Sequence, residues 1–331
     1  MKINLSKMSS MMIMLISIII CISSNSWIIM WMMMEINMFT FIPLINKKNL
    51  FSSESMMKYF IIQTISSLIL FLLILIMWNM KNNPQSLINL MNLCLLMKLG
   101  SAPFHLWYIQ IIESLNWMNF FILSSLQKII PLILLNLNSS FLFMIMFMMF
   151  NFIMSAPGGM NQNSLKKILG YSSVNHLGWM ILTISMNEIL WYIYTLMYFM
   201  IIMSMSMMFN YMNSNYFNQM FYFNNFKLNL MLFSMSFLSL GGIPPFLMFY
   251  PKWMTFNQLI NNNQLTILMI MIMSSLTILY FYIQPSYTLM LMNSSKMKWF
   301  INMDMNNIKF MIFNFLYNSN FLIMVMMIIY I

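Results

Sequence analysis

Apolar runs of about twenty residues recur along the whole chain, separated by short polar stretches. A helix crossing a hydrocarbon core of about 30 Å needs about 20 such residues. By that measure the punctuation predicts eleven spans, at roughly 8–24, 26–45, 57–79, 85–114, 118–137, 140–156, 167–185, 188–210, 228–260, 263–283 and 311–331. Two of these are longer than one crossing requires, and each carries a break: Gly100-Ser101-Ala102-Pro103 in the fourth, Gly241-Gly242-Ile243-Pro244-Pro245 in the ninth. The pattern predicts an all-α polytopic membrane protein of about eleven transmembrane helices, two of them broken, forming a single transmembrane domain over residues 1–331. Broken helices at corresponding places in two halves of a chain point to an inverted repeat of five-helix units. The polar stretch 284–310, with Trp299 and three lysines, is expected to lie along the inner membrane face. Lys2 and Lys7 ahead of an apolar run mimic a signal peptide. No small-residue cleavage site follows and further spans do, so this run is expected to persist as the first helix.

Charge changes the picture twice. Only 6% of the 331 residues are charged, against about 25% in a soluble domain. That excludes a cytosolic enzyme, a secreted disulfide scaffold and a nucleic-acid binder. The net charge of +10 comes from 15 lysines with no arginine. Lys2, Lys7, Lys47, Lys48, Lys58, Lys166, Lys167, Lys227, Lys296, Lys298 and Lys309 fall on one side of an eleven-span chain, and only Lys81 on the other. The positive-inside rule assigns the lysine-rich side to the cytoplasm or mitochondrial matrix. The N-terminus is then inside and the C-terminus outside.

Three lysines remain within spans, and with one glutamate they are the candidate chemistry. Glu35, Lys98, Lys128 and Lys252 each lie near mid-depth, where an ionisable group costs about 2.5–3.5 kcal/mol on insertion scales and marks a functional site by default. The bland alternative is that these lysines snorkel or form static ion pairs. A lysine stem is too short to reach water from the midplane, and one glutamate cannot neutralise three lysines. A proton relay among these groups is therefore expected. Pro103 and Pro251 are placed to start second half-helices. Lys98 would then end a half-helix, where the dipole favours a cation, and Lys252 would begin one, where it does not. Lys252 is accordingly expected to give up its proton before Lys98. His105, just past the first break, and His176, mid-helix, are secondary relay candidates, since a neutral imidazole can pass a proton. For each the competing reading is a buried, hydrogen-bonded structural histidine. Glu113 is a rim charge or an exit acid, and Lys166 and Lys167 are inner anchors of the seventh span.

Cys21 and Cys94 both lie in apolar runs, and two thiols cannot hold a cysteine-ligated iron–sulfur cluster. With no dinucleotide fingerprint, phosphate-binding loop or zinc motif, no metal or soluble cofactor site is expected in this chain. Composition adds a remark about the genome: 49 methionines beside two alanines, two valines and no arginine fit AT-rich codons with ATA read as methionine, as in animal mitochondria. The methionine excess therefore carries little functional weight.

The stretches that bear these charges also carry a family likeness: residues 31–43 around Glu35, Lys98-Leu-Gly-Ser-Ala-Pro-Phe-His-Leu-Trp107, Gln127-Lys-Ile-Ile-Pro131, residues 167–179 around His176, and residues 241–253 ending in Lys252-Trp253. In this order they resemble the antiporter-like membrane subunits of mitochondrial respiratory complex I, and among them the chain 2 family, over about residues 27–255. The resemblance implies eleven helices with the fourth and ninth broken, three fewer than bacterial counterparts at the N-terminus. It implies a Glu35–Lys98 pair, a central Lys128 and a terminal Lys252, in a subunit of the inner mitochondrial membrane. Such a subunit translocates protons while electron transfer takes place in other subunits. NADH, FMN, iron–sulfur clusters and ubiquinone would then belong to the rest of the complex. Its partners would be other complex subunits, chiefly neighbouring antiporter-like and small membrane ones, and the lipid bilayer, with no nucleic acid. Gly170 departs from the family, where alanine is usual, and touches none of the four charges. Two rival readings remain open: a stand-alone cation/proton antiporter, and a structural subunit whose charges only fix helix packing.

Overall fold

The computed structural model describes residues 5–45, 50–79, 85–138, 140–217, 219, 227–244 and 246–292. Among them the chain is helical, in thirteen segments, with no strand beyond a single bridge between Ser164 and Tyr216. The first three spans are α1 (Leu5–Ser23), α2 (Trp27–Ile45) and α3 (Leu50–Asn79). The fourth is broken as expected, into α4 (Gln85–Leu99) and α5 (Leu106–Ser114). The fifth is also broken, into α6 (Trp117–Ser124) and α7 (Leu126–Leu137), which the pattern did not foresee. Then follow α8 (Phe141–Met160), α9 (Leu165–Met186) and α10 (Glu188–Met212), the broken ninth span as α11 (Lys227–Gly241) and α12 (Phe249–Asn261), and α13 (Leu265–Met292). Seven segments are long and apolar enough to cross a membrane unaided, among the described residues. The eleventh span and most of the 284–310 segment lie outside those residues. The part that is described, up to Met292, continues α13 as helix.

Large apolar side chains such as Ile19 on α1 and Leu68 and Leu72 on α3 are exposed. On a soluble protein such patches would be a liability; on helices long and apolar enough to cross a membrane they are expected. The polar side chains go the other way, and Ser66, Asn92, Asn151, Ser172 and Ser236 are fully buried. Many of the serines bond back to the carbonyl three residues earlier, as Ser66 does to Gln63 and Ser236 to Phe233, which satisfies the hydroxyl within its own helix.

The helices fall into two compact units, residues 1–151 with 177–185, and residues 152–176 with 186–331. In the first, α7 packs on α1, α2 and α4, and α3 lies against α2, α4 and α5. In the second, α13 packs on α11 and α12, and α10 covers the same pair.

Candidate functional site

Lys98, Lys128 and Lys252 each sit at a helix break, and the sequence explains how each break forms. At the first, Gly100 adopts a left-handed φ of +68°, a region that favours glycine. Ser101 closes the end of α4, its amide and hydroxyl both donating to the Leu96 carbonyl, while Trp107 Nε1 donates to the Met97 carbonyl. Lys98 is thus in the last turn of α4, as expected. Pro103, however, does not start the second half. It lies in the turn, and α5 begins three residues later at Leu106, with His105 buried just before it.

The unforeseen break is at Ser124-Ser125. Both hydroxyls donate to the Phe121 carbonyl, Ser125 at 2.6 Å, and Ser125 leaves the helical region at φ −120°, ψ −78°. Serine hydroxyls that compete for backbone carbonyls bend helices. Pro131, inside α7, has no N–H to return to the Gln127 carbonyl one turn earlier. Lys128 is the third residue of α7, 2% exposed, with its ammonium 4.7 Å from the centroid of the Tyr108 ring. A face-on aromatic ring attracts a cation by about 0.5–2 kcal/mol.

Within this first unit Glu35 Oε1 stands 3.8 Å from Lys98 Nζ. This is the pair that the family resemblance implies, at the long end of ion-pair contact. Lys98 and Lys128 both line one cavity of about 20 Å³, with Asn37, Tyr59, Gln63 and Gln127. One water centre needs about 10–15 Å³ by this measure, so the cavity can hold a single bridging water between the two lysines.

Gln127, Tyr59 and Gln63 were not singled out beforehand, because polar amides and tyrosines give no periodic signal. Their only marker is polarity inside an apolar run. Gln127 Nε2 donates to the Asn37 carbonyl and to Asn37 Oδ1, and its Oε1 accepts from the Tyr59 hydroxyl at 3.2 Å. One turn along α3, Gln63 donates to the Lys98 carbonyl at 3.1 Å. The amide next to Lys128 therefore ties α7 to α2 and α3. Replacing Gln127 with leucine is expected to leave the Tyr59 hydroxyl and Asn37 Oδ1 buried without partners, at about 1–3 kcal/mol each. A lower thermal midpoint of the assembled protein would show it, and an unchanged midpoint would deny this network its structural role.

In the second unit Gly242, with φ +79°, turns the chain after α11. Pro251 falls in the first turn of α12, as expected, and Lys252 follows it. The Lys252 ammonium reaches back to the end of α11, donating to the Gly241 carbonyl at 2.9 Å and the Leu240 carbonyl at 3.4 Å. Its backbone is in the first turn of one half-helix while its charge faces the carbonyl end of the other. The opposed dipole of α11 offsets the one considered from sequence. His176 is buried, with Nδ1 2.8 Å from the Tyr194 hydroxyl and its ring 4.9 Å from that of Tyr198. Glu113 lies in the last turn of α5, and Lys166 and Lys167 in the first turn of α9. Cys21 and Cys94 are buried free thiols.

Comparison with known proteins places the chain and its fold. A family model described as NADH:quinone oxidoreductase/Mrp antiporter, transmembrane, matches residues 24–277. NADH-ubiquinone oxidoreductase chain 2 of Anopheles gambiae is 41% identical over 303 residues, covering 87% of each chain, and that of Aedes aegypti is 42% identical over 298 residues with the same coverage. Among solved structures, a chain of respiratory complex I from Thermus thermophilus superposes with a TM-score of 0.79 over 88% of this chain and 71% of its own, at 16% identity. A chain of the Mrp complex from Dietzia gives 0.71 over 82% and 58%, at 13% identity. These structures share the fold.

Proposed function

Because this chain belongs to the NADH:quinone oxidoreductase/Mrp antiporter membrane family, we propose that its buried Glu35, Lys98, Lys128 and Lys252 form the proton relay of a respiratory complex I membrane subunit. The chain is an integral protein of the inner mitochondrial membrane and part of the membrane arm of NADH–ubiquinone oxidoreductase, partnered there by other subunits of the complex. It takes part in proton translocation. NADH oxidation and quinone reduction belong to other subunits, and this chain contributes the translocase step. Its N-terminus faces the matrix and its C-terminus the intermembrane space, in keeping with eleven lysines on one side against one on the other. The single transmembrane domain, the eleventh helix and the inverted repeat belong to this same reading.

The observation that carries the relay is the pairing of Glu35 with Lys98 across 3.8 Å, beside a cavity that Lys128 also lines. Opposite charges about 4 Å apart at an effective dielectric of about 20 attract by about 4 kcal/mol. Moving one charge through 100 mV takes about 2.3 kcal/mol. Opening or closing this pair can therefore drive one proton step, with little to spare. In the proposed cycle a change of charge at one end of the subunit loosens Glu35 from Lys98. Lys98 then passes a proton through the shared cavity to Lys128. His176 and finally Lys252 receive it in turn, with His105 near the first break as a side branch. The test is Glu35→Gln, which keeps the shape and removes the charge. The complex is expected to assemble and oxidise NADH while moving fewer protons per electron pair. An assembly defect with normal pumping in whatever complex survives would instead favour static charges, and ion exchange by the purified chain in liposomes would favour a stand-alone antiporter.

A further inference from the structure

Two acceptor oxygens and two donors stand close together in the first unit, and neither pairing is tight. Glu35 Oε1 lies 3.8 Å from Lys98 Nζ, where a charge-assisted bond of this kind measures about 2.7–2.9 Å. Among the described residues that oxygen is buried and accepts no hydrogen bond. The Tyr59 hydroxyl donates to Gln127 Oε1 at 3.2 Å, where O–H···O bonds cluster near about 2.7–2.8 Å. Both donors are held loosely enough to be exchanged.

The exchange is within reach. Tyr59, Lys98 and Gln127 line the same cavity of about 20 Å³, which is no wider than one water, and Glu35 stands just behind Lys98. Tyr59 is 1% exposed and close enough to Glu35 for their charges to interact. Its ring is fixed, edge-on to Phe41 of α2 at 5.2 Å and 6.2 Å from the Trp107 ring of α5. Only the hydroxyl hydrogen turns, as it does to suit whichever acceptor is offered. The Lys98 backbone also stays where it is, because Gln63, one turn along α3, holds its carbonyl at 3.1 Å. A carboxylate that leaves Lys98 without a replacement donor is a buried charge left bare, which is strongly disfavoured. Tyr59 can supply that donor. Gln127 Oε1 then loses its own, and its amide cannot flip, since Nε2 is committed to both oxygens of Asn37. The Lys98 ammonium, released beside the cavity that this amide lines, can fill the place directly or through one water. The number of hydrogen bonds is kept and only the partners change.

We propose that Tyr59 is a positioning residue of the relay: its hydroxyl takes Glu35 when Lys98 lets go, and Gln127 takes Lys98 in return. The proposal rests on the translocation reading above and names the group that lets the first pair open. No proton is transferred in the exchange itself. Tyr59 keeps its hydrogen, and the Lys98 ammonium keeps all of its own until it stands at Gln127. That residue directly precedes Lys128, and from there Lys98 can pass a proton on.

The test uses the intact complex in coupled membranes. Tyr59→Phe removes the hydroxyl and keeps the ring against Phe41 and Trp107, so assembly is expected. A hydroxyl bonded to a carboxylate favours the open pair by about tenfold to a hundredfold, and the open fraction should fall by that factor. Fewer protons per electron pair are then expected than in the parent. Added to Glu35→Gln, the same change should cost nothing more, because the carboxylate that Tyr59 serves is already gone. A tyrosine that only packs would add its loss in both backgrounds. A second measurement needs no tyrosine variant. Infrared difference spectra of the parental complex, with and without NADH, should contain a carboxylate band that Glu35→Gln removes, shifting together with a tyrosine C–O band. This arm decides the matter should Tyr59→Phe fail to assemble. Parental pumping by assembled Tyr59→Phe, when Glu35→Gln is defective, would overturn the exchange and leave translocation standing. So would an additive loss in the double variant, or a Glu35 band that shifts alone. Parental pumping by Glu35→Gln would instead remove the translocation reading itself and the exchange with it.

Discussion

Replacing Lys128 with methionine is expected to leave the complex assembled and oxidising NADH while lowering the number of protons moved per electron pair. The side chain is 2% exposed and lies over the Tyr108 ring. An unbranched methionine fills much of the same space, so no large cavity opens. The variant forfeits a cation–π contact of about 0.5–2 kcal/mol. It also removes a cation whose burial in the membrane costs about 2.5–3.5 kcal/mol on insertion scales. The balance favours methionine or is close to neutral, and the assembled fraction on native gels should match the parent. Proton movement is different, because methionine can neither accept nor release a proton. Whatever passes from the Lys98 cavity toward Lys128 stops there. Pumping measured against NADH oxidation in coupled vesicles should fall, and a parental ratio would take Lys128 out of the relay. If the charges served only packing, this variant should assemble less well and pump at the parental ratio in the complex that survives.

How much of this was legible in the sequence depended on the kind of signal. Long apolar runs and misplaced charges are strong signals, so the helical spans, the four ionisable groups within them and the two glycine-marked breaks could be read directly. The pairing of Glu35 with Lys98 came only from the family resemblance. Gly100 and Gly242 both take the left-handed backbone that their glycines advertised. The third break carries no glycine. Ser124, Ser125 and Pro131 are each tolerated in a membrane helix singly, and only their joint effect on the Phe121 and Gln127 carbonyls opens the chain. With it goes the common rule that the three structures share: Lys98, Lys128 and Lys252 each sit within a turn or so of an interrupted helix. Pro103 was misplaced because proline marks a helix start only where the chain is already turning into the helix, and here the turn runs on to His105. The partner of Lys252 was invisible for a different reason. A helix dipole argued from position considers only the residue's own helix, whereas the flexible stem carries the ammonium to the Gly241 carbonyl of the preceding one.

The two left-handed glycines should answer differently to the same mutation. An alanine in this backbone region costs about 1–2 kcal/mol at either site. At Gly100 the added Cβ would stand 2.9 Å from Tyr108 Cβ and 3.2 Å from the Trp107 ring. A Cβ is fixed to its own backbone, so α5 must move relative to α4, and overpacking of that sort adds about 1–3 kcal/mol. Gly100→Ala is therefore expected to lower the amount of assembled complex sharply. At Gly242 the added Cβ would stand 2.9 Å from Lys252 Cδ and 3.0 Å from its Nζ. These are the far atoms of a flexible side chain, which can swing aside while both half-helices stay in place. The ammonium would then leave the Gly241 carbonyl that it bonds at 2.9 Å. Gly242→Ala is expected to assemble in useful amount and to pump poorly per electron pair, a defect that follows the position of Lys252 and not the stability of the fold. Native gels and coupled-vesicle assays on the two variants separate these outcomes. Equal assembly losses with normal pumping in the survivors would mean that Gly242 serves the turn alone, and that the placement of the Lys252 ammonium has no part in translocation.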